Sequence, residues 1–99
     1  MSTLPFDPRP RRAAFRALHE DGCFVLPNPW DVGSARYLHR LGFAALASTS
    51  SGVAWSQGKP DGQHSREETL AHLRDLAAAT PLPVNADFGD GFGAVPAVV

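Results

Sequence analysis

Ninety-nine residues, 43% hydrophobic and 19% charged, make one small domain or part of a larger one, and are too apolar for general disorder. A net charge of -1 argues against a basic nucleic-acid binder, and no apolar run approaches the roughly 20 residues of a membrane helix. One cysteine, Cys23, excludes an internal disulfide and a multi-cysteine metal site.

Residues 1–8 carry no apolar signal core, so a cytoplasmic protein is expected, with neither nucleic acid nor membrane as partner. Pro5, Pro8 and Pro10 make residues 1–10 an extended lead-in, and residues 11–99 form the domain. Residues 11–20 have a helical period: Ala14, Phe15 and Leu18 share a face, and Arg11, Arg12, Arg16 and Glu20 are polar. Asp21-Gly22 stops that helix. Cys23-Phe24-Val25-Leu26 is a short apolar run before Pro27-Asn28-Pro29, as in a strand buried on two sides, and Cys23 reads there as a core thiol. Asp31 can cap a helix over 32–41, with Val32, Ala35, Leu38 and Leu41 in its apolar stripe and Gly42 at its end.

Phe43-Ala44-Ala45-Leu46-Ala47 is a second buried strand, followed by the hydroxyl-rich Ser48-Thr49-Ser50-Ser51-Gly52. Residues 53–64 have no clear period and read as a loop. Ser65 and Glu68 have the spacing of a capping box, opening a helix with Leu70, Leu73, Leu76 and Ala77 on one face and Thr80-Pro81 at its end. Residues 83–88 are a third strand. Gly89, Gly91 and Gly93 follow in a loop, then an apolar tail at 94–99.

Strands alternating with helices imply an α/β fold with parallel pairing. Ligands bind at the carboxyl ends of such strands. The polar clusters at 28–31, 48–52 and 87–93 all fall there. Three parallel strands with flanking helices leave open edges, so the chain reads as the N-terminal third or so of a (β/α)8 TIM-type barrel, which needs about 250 residues.

Asp87 is the strongest single candidate for chemistry. A carboxylate at a strand end before a glycine loop suits a Mg2+ or Mn2+ site, and equally a local cap on loop amides. The hydroxyls at 48–51 either hold a carboxylate or phosphonate or form an ordinary turn; the Gly-Lys-Ser/Thr ending of a phosphate loop is absent. Asp61, before Gly62, is a turn residue or a lid carboxylate. Lys59 reads as a solvated charge, and Trp30 as core or pocket wall. His19, His39, His64 and His72 lack metal spacing and read as structural or solvent-facing. Asp87-Phe88-Gly89 spells a kinase metal motif, but no glycine-rich nucleotide loop or His-Arg-Asp loop precedes it.

Four stretches, taken together in this order and spacing, resemble the isocitrate lyase/phosphoenolpyruvate mutase superfamily: residues 26–36, 42–54, 58–62, and 81–87 with Gly91-Phe92-Gly93. The resemblance is to its phosphoenolpyruvate mutase-like, oxaloacetate decarboxylase-like and methylisocitrate lyase-like branch. It implies a Mg2+-dependent lyase barrel acting on small 2-oxo or 2-hydroxy carboxylates through an enolate-like intermediate, and a possible homo-oligomer. Carried over, Ser50, Ser51 and Gly52 contact the substrate carboxylate beside Trp30. Asp61 is the catalytic carboxylate near metal and substrate, and Asp87 orients the metal, through water. The family's second carboxylate, two residues on, is here Gly89, with Asp90 beside it as a weaker stand-in. The lyase branch's catalytic cysteine loop has no counterpart in the chain, so the chain alone is expected to be inactive or nearly so. The alternative is a non-catalytic remnant that pairs its open sheet edge with another chain.

Overall fold

The computed structural model describes residues 7–93; the apolar tail and most of the lead-in fall outside them. In chain order the elements are α1 (Arg9–Ala17), α2 (Val32–Arg40), β1 (Leu46–Ala47), α3 (Ser50–Ser56), α4 (Arg66–Ala79) and β2 (Val84–Asn85). The strands pair in parallel, Leu46 opposite Val84 and Ala47 opposite Asn85. A parallel pair needs a long crossover, and α3 with α4 supplies it. Leu46 is fully buried with Ala35 of α2 and Leu76 of α4, and Leu38, Ala79, Leu82 and Val84 close around them. Both Leu46 and Ala47 are buried, as a parallel strand covered on two faces requires.

The helix caps form where the sequence places them. Asp31 Oδ1 accepts from the Ser34 N–H at 2.8 Å, and Ser34 Oγ accepts from the Asp31 N–H at 3.2 Å. Ser65 and Glu68 make the same reciprocal pair at the start of α4, at 3.1 and 3.0 Å. The backbone donors hold the Asp31 and Glu68 carboxyls below the usual carboxylate range.

Four expectations need correction. First, α1 starts at Arg9 rather than Arg11, with Pro8 as cap and Pro10 in the first turn. A first-turn proline forfeits no helical bond, so the proline cluster opens the helix instead of delaying it. Past Ala17 the chain tightens, with His19 and Glu20 N–H groups bonding back to the Arg16 and Ala17 carbonyls.

Second, residues 23–26 form no strand, and Cys23 is exposed rather than a core thiol, as is Val25 at 67%. The segment makes one sheet-like bond, the Ala47 N–H to the Pro27 carbonyl at 3.0 Å. In a parallel ladder the return bond to Ala47 would come from the N–H two residues further on. That residue is Pro29, which has none, so the ladder stops after one rung.

Third, only two residues of each expected strand pair: 46–47 of 43–47, and 84–85 of 83–88. Fourth, the stretch from 50 to 56, expected as strand end and loop, is α3. Thr49 caps it, accepting from the Gly52 N–H at 3.2 Å. A seven-residue helix with Gly52, Val53 and Ala54 all buried shows no one-sided stripe, and the hydroxyl run that resembles a turn is its capping sequence.

Ser65→Ala is expected to cost about 1 kcal/mol, read as a lower urea midpoint at unchanged slope, while Ser65→Asp, which keeps an acceptor, recovers most of it.

Candidate functional site

The carboxyl ends of β1 and β2 meet at Asp87. Its N–H donates to the buried Ser48 Oγ at 2.7 Å, and its Oδ2 accepts from the Ser50 N–H at 3.0 Å. Its Oδ1 accepts from the Gly89 N–H at 3.1 Å. One residue therefore ties the end of β2 to the end of β1, to the start of α3 and to the following loop. The Ser50 amide, then the Gly89 amide, holds the Asp87 carboxyl below its usual range, so it is ionised at neutral pH.

A cavity of about 560 Å3 opens above this junction, lined by Ser48, Thr49, Ser50, Asp61, Asp87 and Asp90 among others. Asp61 is exposed and reaches it from the α3–α4 connection, where its Oδ2 accepts from Ser51 Oγ at 3.0 Å. Asp90 arrives on the loop after β2 and accepts from the Phe92 N–H through Oδ1 at 2.9 Å. Lys59 stays at the surface, 3.9 Å from Glu68 Oε2, where an ion pair contributes little.

The remaining expected residues sit behind the cavity. Ser51 and Gly52 are not on its lining; Ser51 reaches it through Asp61. Trp30 packs against the backbone of α3 at Gly52 and meets Trp55 edge-on at 6.0 Å between ring centroids. A Cβ at position 52 would collide with Trp30 Cδ1 and Nε1 and with the Thr49 side chain. Glycine is needed there for that close approach, and Trp30 is a wall of α3 that remains 43% exposed.

Two cavity residues are not apparent in the sequence, His64 and His72. Gln57 Oε1 lies 2.9 Å from His64 Nε2, a hydrogen bond that ties the ring to the end of α3. His72 Nε2 is buried without a hydrogen-bond partner, and burial pushes the imidazole pKa down. The helical stripe Thr69, His72, Leu76 runs into the fully buried Leu76, a signal that His72 is turned inward rather than to solvent.

The donors suit a hard cation. Beside the two imidazoles the donors are oxygens, with three carboxylates on one cavity. Among the described residues no three His, Cys, Asp or Glu side chains converge into a cage. Mg2+ commonly takes one or two carboxylates and keeps several waters, so this set fits a hydrated ion. No helix among the described residues is long and apolar enough to cross a membrane.

Two predictions follow from the packing and the charge. Gly52→Ala should lose about 1–3 kcal/mol, and shortening Trp30 in the same chain should relieve part of that loss, measured by a double-mutant cycle in urea. Because the folded-state pKa of Asp87 is lowered, its stabilisation is complete above about pH 4 and drains away as pH falls through the depressed value. Asp87→Asn should flatten that acid limb of the stability curve while leaving the shape of the alkaline side unchanged.

Residues 15–99 match the family model for phosphoenolpyruvate phosphomutase. An uncharacterized protein of Mycobacterium tuberculosis is 43% identical over 86 residues, covering 84% of this chain and 33% of its own length. A candidate lyase/mutase of Burkholderia cenocepacia J2315 superposes with a TM-score of 0.87 at 52% identity, over 90% of this chain and 33% of its own. A 2,3-dimethylmalate lyase of the PEP mutase/isocitrate lyase superfamily superposes with a TM-score of 0.75 at 32% identity, over 85% and 31%. The chain spans about a third of the length of these relatives. Its two-stranded α/β unit is a portion of their TIM-type barrel. The chain belongs to the phosphoenolpyruvate phosphomutase family, within a superfamily of lyases and phosphonomutases.

Proposed function

We propose that the chain carries part of the active site of a Mg2+-dependent carbon–carbon lyase or mutase acting on small 2-oxo or 2-hydroxy carboxylates, with Mn2+ able to replace Mg2+. One observation carries this reading. Hydroxyls and three carboxylates share one cavity at the carboxyl ends of parallel strands, in a chain of this family.

Cleavage beside a 2-oxo or 2-hydroxy carboxylate develops negative charge on an enolate-like oxygen, and oriented donors stabilise it as it forms. In this reading Ser50, on the cavity lining, would donate its hydroxyl to the substrate carboxylate. Ser51 fixes Asp61 at the cavity edge, and Gly52 lets Trp30 back the helix that presents both serines. Asp87, with Asp90 as a weaker second carboxylate, would hold a hydrated Mg2+ with Asp61 nearby, and the ion when bound would supply positive charge against the developing enolate.

Oxalate, a compact mimic of an enolate carboxylate, tests this by calorimetry on the 99-residue chain. Oxalate should bind with Mg2+ present and not without it, and Asp87→Asn should weaken that binding at least about tenfold at unchanged circular dichroism. Gly89 has φ +59° and open space around its Cβ direction, so an Asp fits sterically at the cost of the left-handed backbone strain, which is least for Asn and Asp. Gly89→Asp should therefore tighten Mg2+ binding by about tenfold. Oxalate binding indifferent to Mg2+, or an Asp87→Asn chain as competent as wild type, would sink the assignment.

A further inference from the structure

Two cavities meet at one partition. The strand-end cavity of about 560 Å3 and a second of about 270 Å3 between α3 and α4 share the lining residues Val53, His64, Thr69 and His72. Glu68 and Asp75 line the smaller one alone. Within the partition, His72 Nε2 is shut off from solvent and has no hydrogen-bond partner. The atom is enclosed by the described residues themselves, so it meets neither a ligand in the cavities nor any group beyond those residues. A neutral ring can leave a bare lone pair at that nitrogen. An imidazolium must put a charged N–H there with no acceptor, which is costly. The lodged position therefore suits the neutral ring alone.

We propose that His72 is a proton-operated gate between the two cavities: neutral, its ring stays lodged and keeps them apart; protonated, it turns into the smaller cavity toward Asp75 and joins them. This goes beyond the lyase reading and holds whatever ligand the strand ends take. Asp75 is three residues further along α4 and Glu68 four residues back, the spacings at which side chains on one helix face meet. Glu68 is already engaged, accepting from the Ser65 N–H and lying 3.9 Å from Lys59 Nζ, so Asp75 is the acceptor for the turned ring. A change of side-chain rotamer moves the ring, with no rearrangement of the helix backbone. Burial pushes the imidazole pKa down; Asp75 on α4 and Asp31 at the α2 cap oppose this, and His64 adds to it. Asp61, Asp87 and Asp90 face the partition from the larger cavity, and their charge also favours the imidazolium. With the folded-state pKa lowered, the unfolded chain takes the proton first. The stability that His72 contributes is whole above about pH 6.5 and is lost as pH falls through the depressed value.

The test is a pH titration of the unaltered 99-residue chain by NMR, with circular dichroism in parallel. The His72 ring should titrate below the ordinary histidine range while the chain stays folded. The amides of Val53 and Thr69, its neighbours in the partition, should shift with the same midpoint, and a ring-to-Asp75 contact should appear on the acid side. Asp75→Asn, which removes the acceptor, should lower that midpoint further. In urea, the unfolding constant of the wild type should rise at least about fivefold more between pH 8 and pH 5.5 than that of His72→Phe, which keeps a ring in the partition without a proton to gain. A His72 midpoint in the ordinary range overturns the proposal, as does a midpoint at which Val53 and Thr69 do not move. So does protonation that coincides with loss of the folded signal, since the ring then gains its proton only by unfolding. These readouts need no ligand or metal, so their failure leaves the lyase reading standing, and failure of oxalate to bind leaves the gate standing.

Discussion

The Asp87 network is the constraint from which the site follows. Its backbone N–H is fixed by Ser48 Oγ, and its carboxylate accepts from the Ser50 and Gly89 amides. Removing either side-chain acceptor would leave an amide at a strand end or helix start without its partner. The strand ends, the first turn of α3 and the loop carrying Asp90 are set relative to one another through this one residue. The structural and functional readings of Asp87 are therefore compatible. An ionised carboxylate offers about four lone-pair directions, and two amide donors do not exhaust them. The same donors that lower its pKa keep it anionic, which is the state a cation requires.

A second constraint fastens the segment before α2. It has one backbone rung onto β1, at Pro27, and no ladder beyond it. Its anchorage lies instead in the buried Pro29 and in Trp30 laid against the α3 backbone. The closeness of that contact depends on a missing side chain at Gly52. The residue whose N–H meets the Thr49 cap also receives the indole, so a change there reaches the strand ends through helix position rather than through chemistry.

What the sequence made legible were features set by short-range chemistry. Asp31 with Ser34 and Ser65 with Glu68 are three residues apart, and a side-chain oxygen at that spacing meets an orphan amide whatever lies beyond. The polar residues that mark the site were legible for a related reason, since parallel strands turn their carboxyl ends toward ligands. What was hidden depends on partners. An apolar run becomes a strand only where a neighbour completes the ladder, and on either side of the single rung at Pro27 the return donors would be Pro27 and Pro29, which have no N–H. A seven-residue helix buried on several faces has no period to read, so α3 resembled a loop. His72 reads as structural or solvent-facing because imidazole is polar. Its burial is set by its place on the stripe leading to Leu76, a tertiary fact.

The cavity thus has two halves of different physical character. The hydroxyls, Asp87 and the start of α3 are carried on strand ends whose register is fixed by hydrogen bonds and by the buried Leu46. Asp61 and His64 are carried on the exposed connection between α3 and α4, held by side-chain bonds to Ser51 and Gln57. Rigid elements suit groups that must meet developing charge within a few tenths of an ångström. A connection held by single polar bonds suits groups that distinguish one ligand from another, because replacing them leaves the sheet intact. On the proposed reading, the strand ends would carry the charge-stabilising groups, and the segment from Gln57 to Ser65 would carry groups that can change without disturbing the sheet.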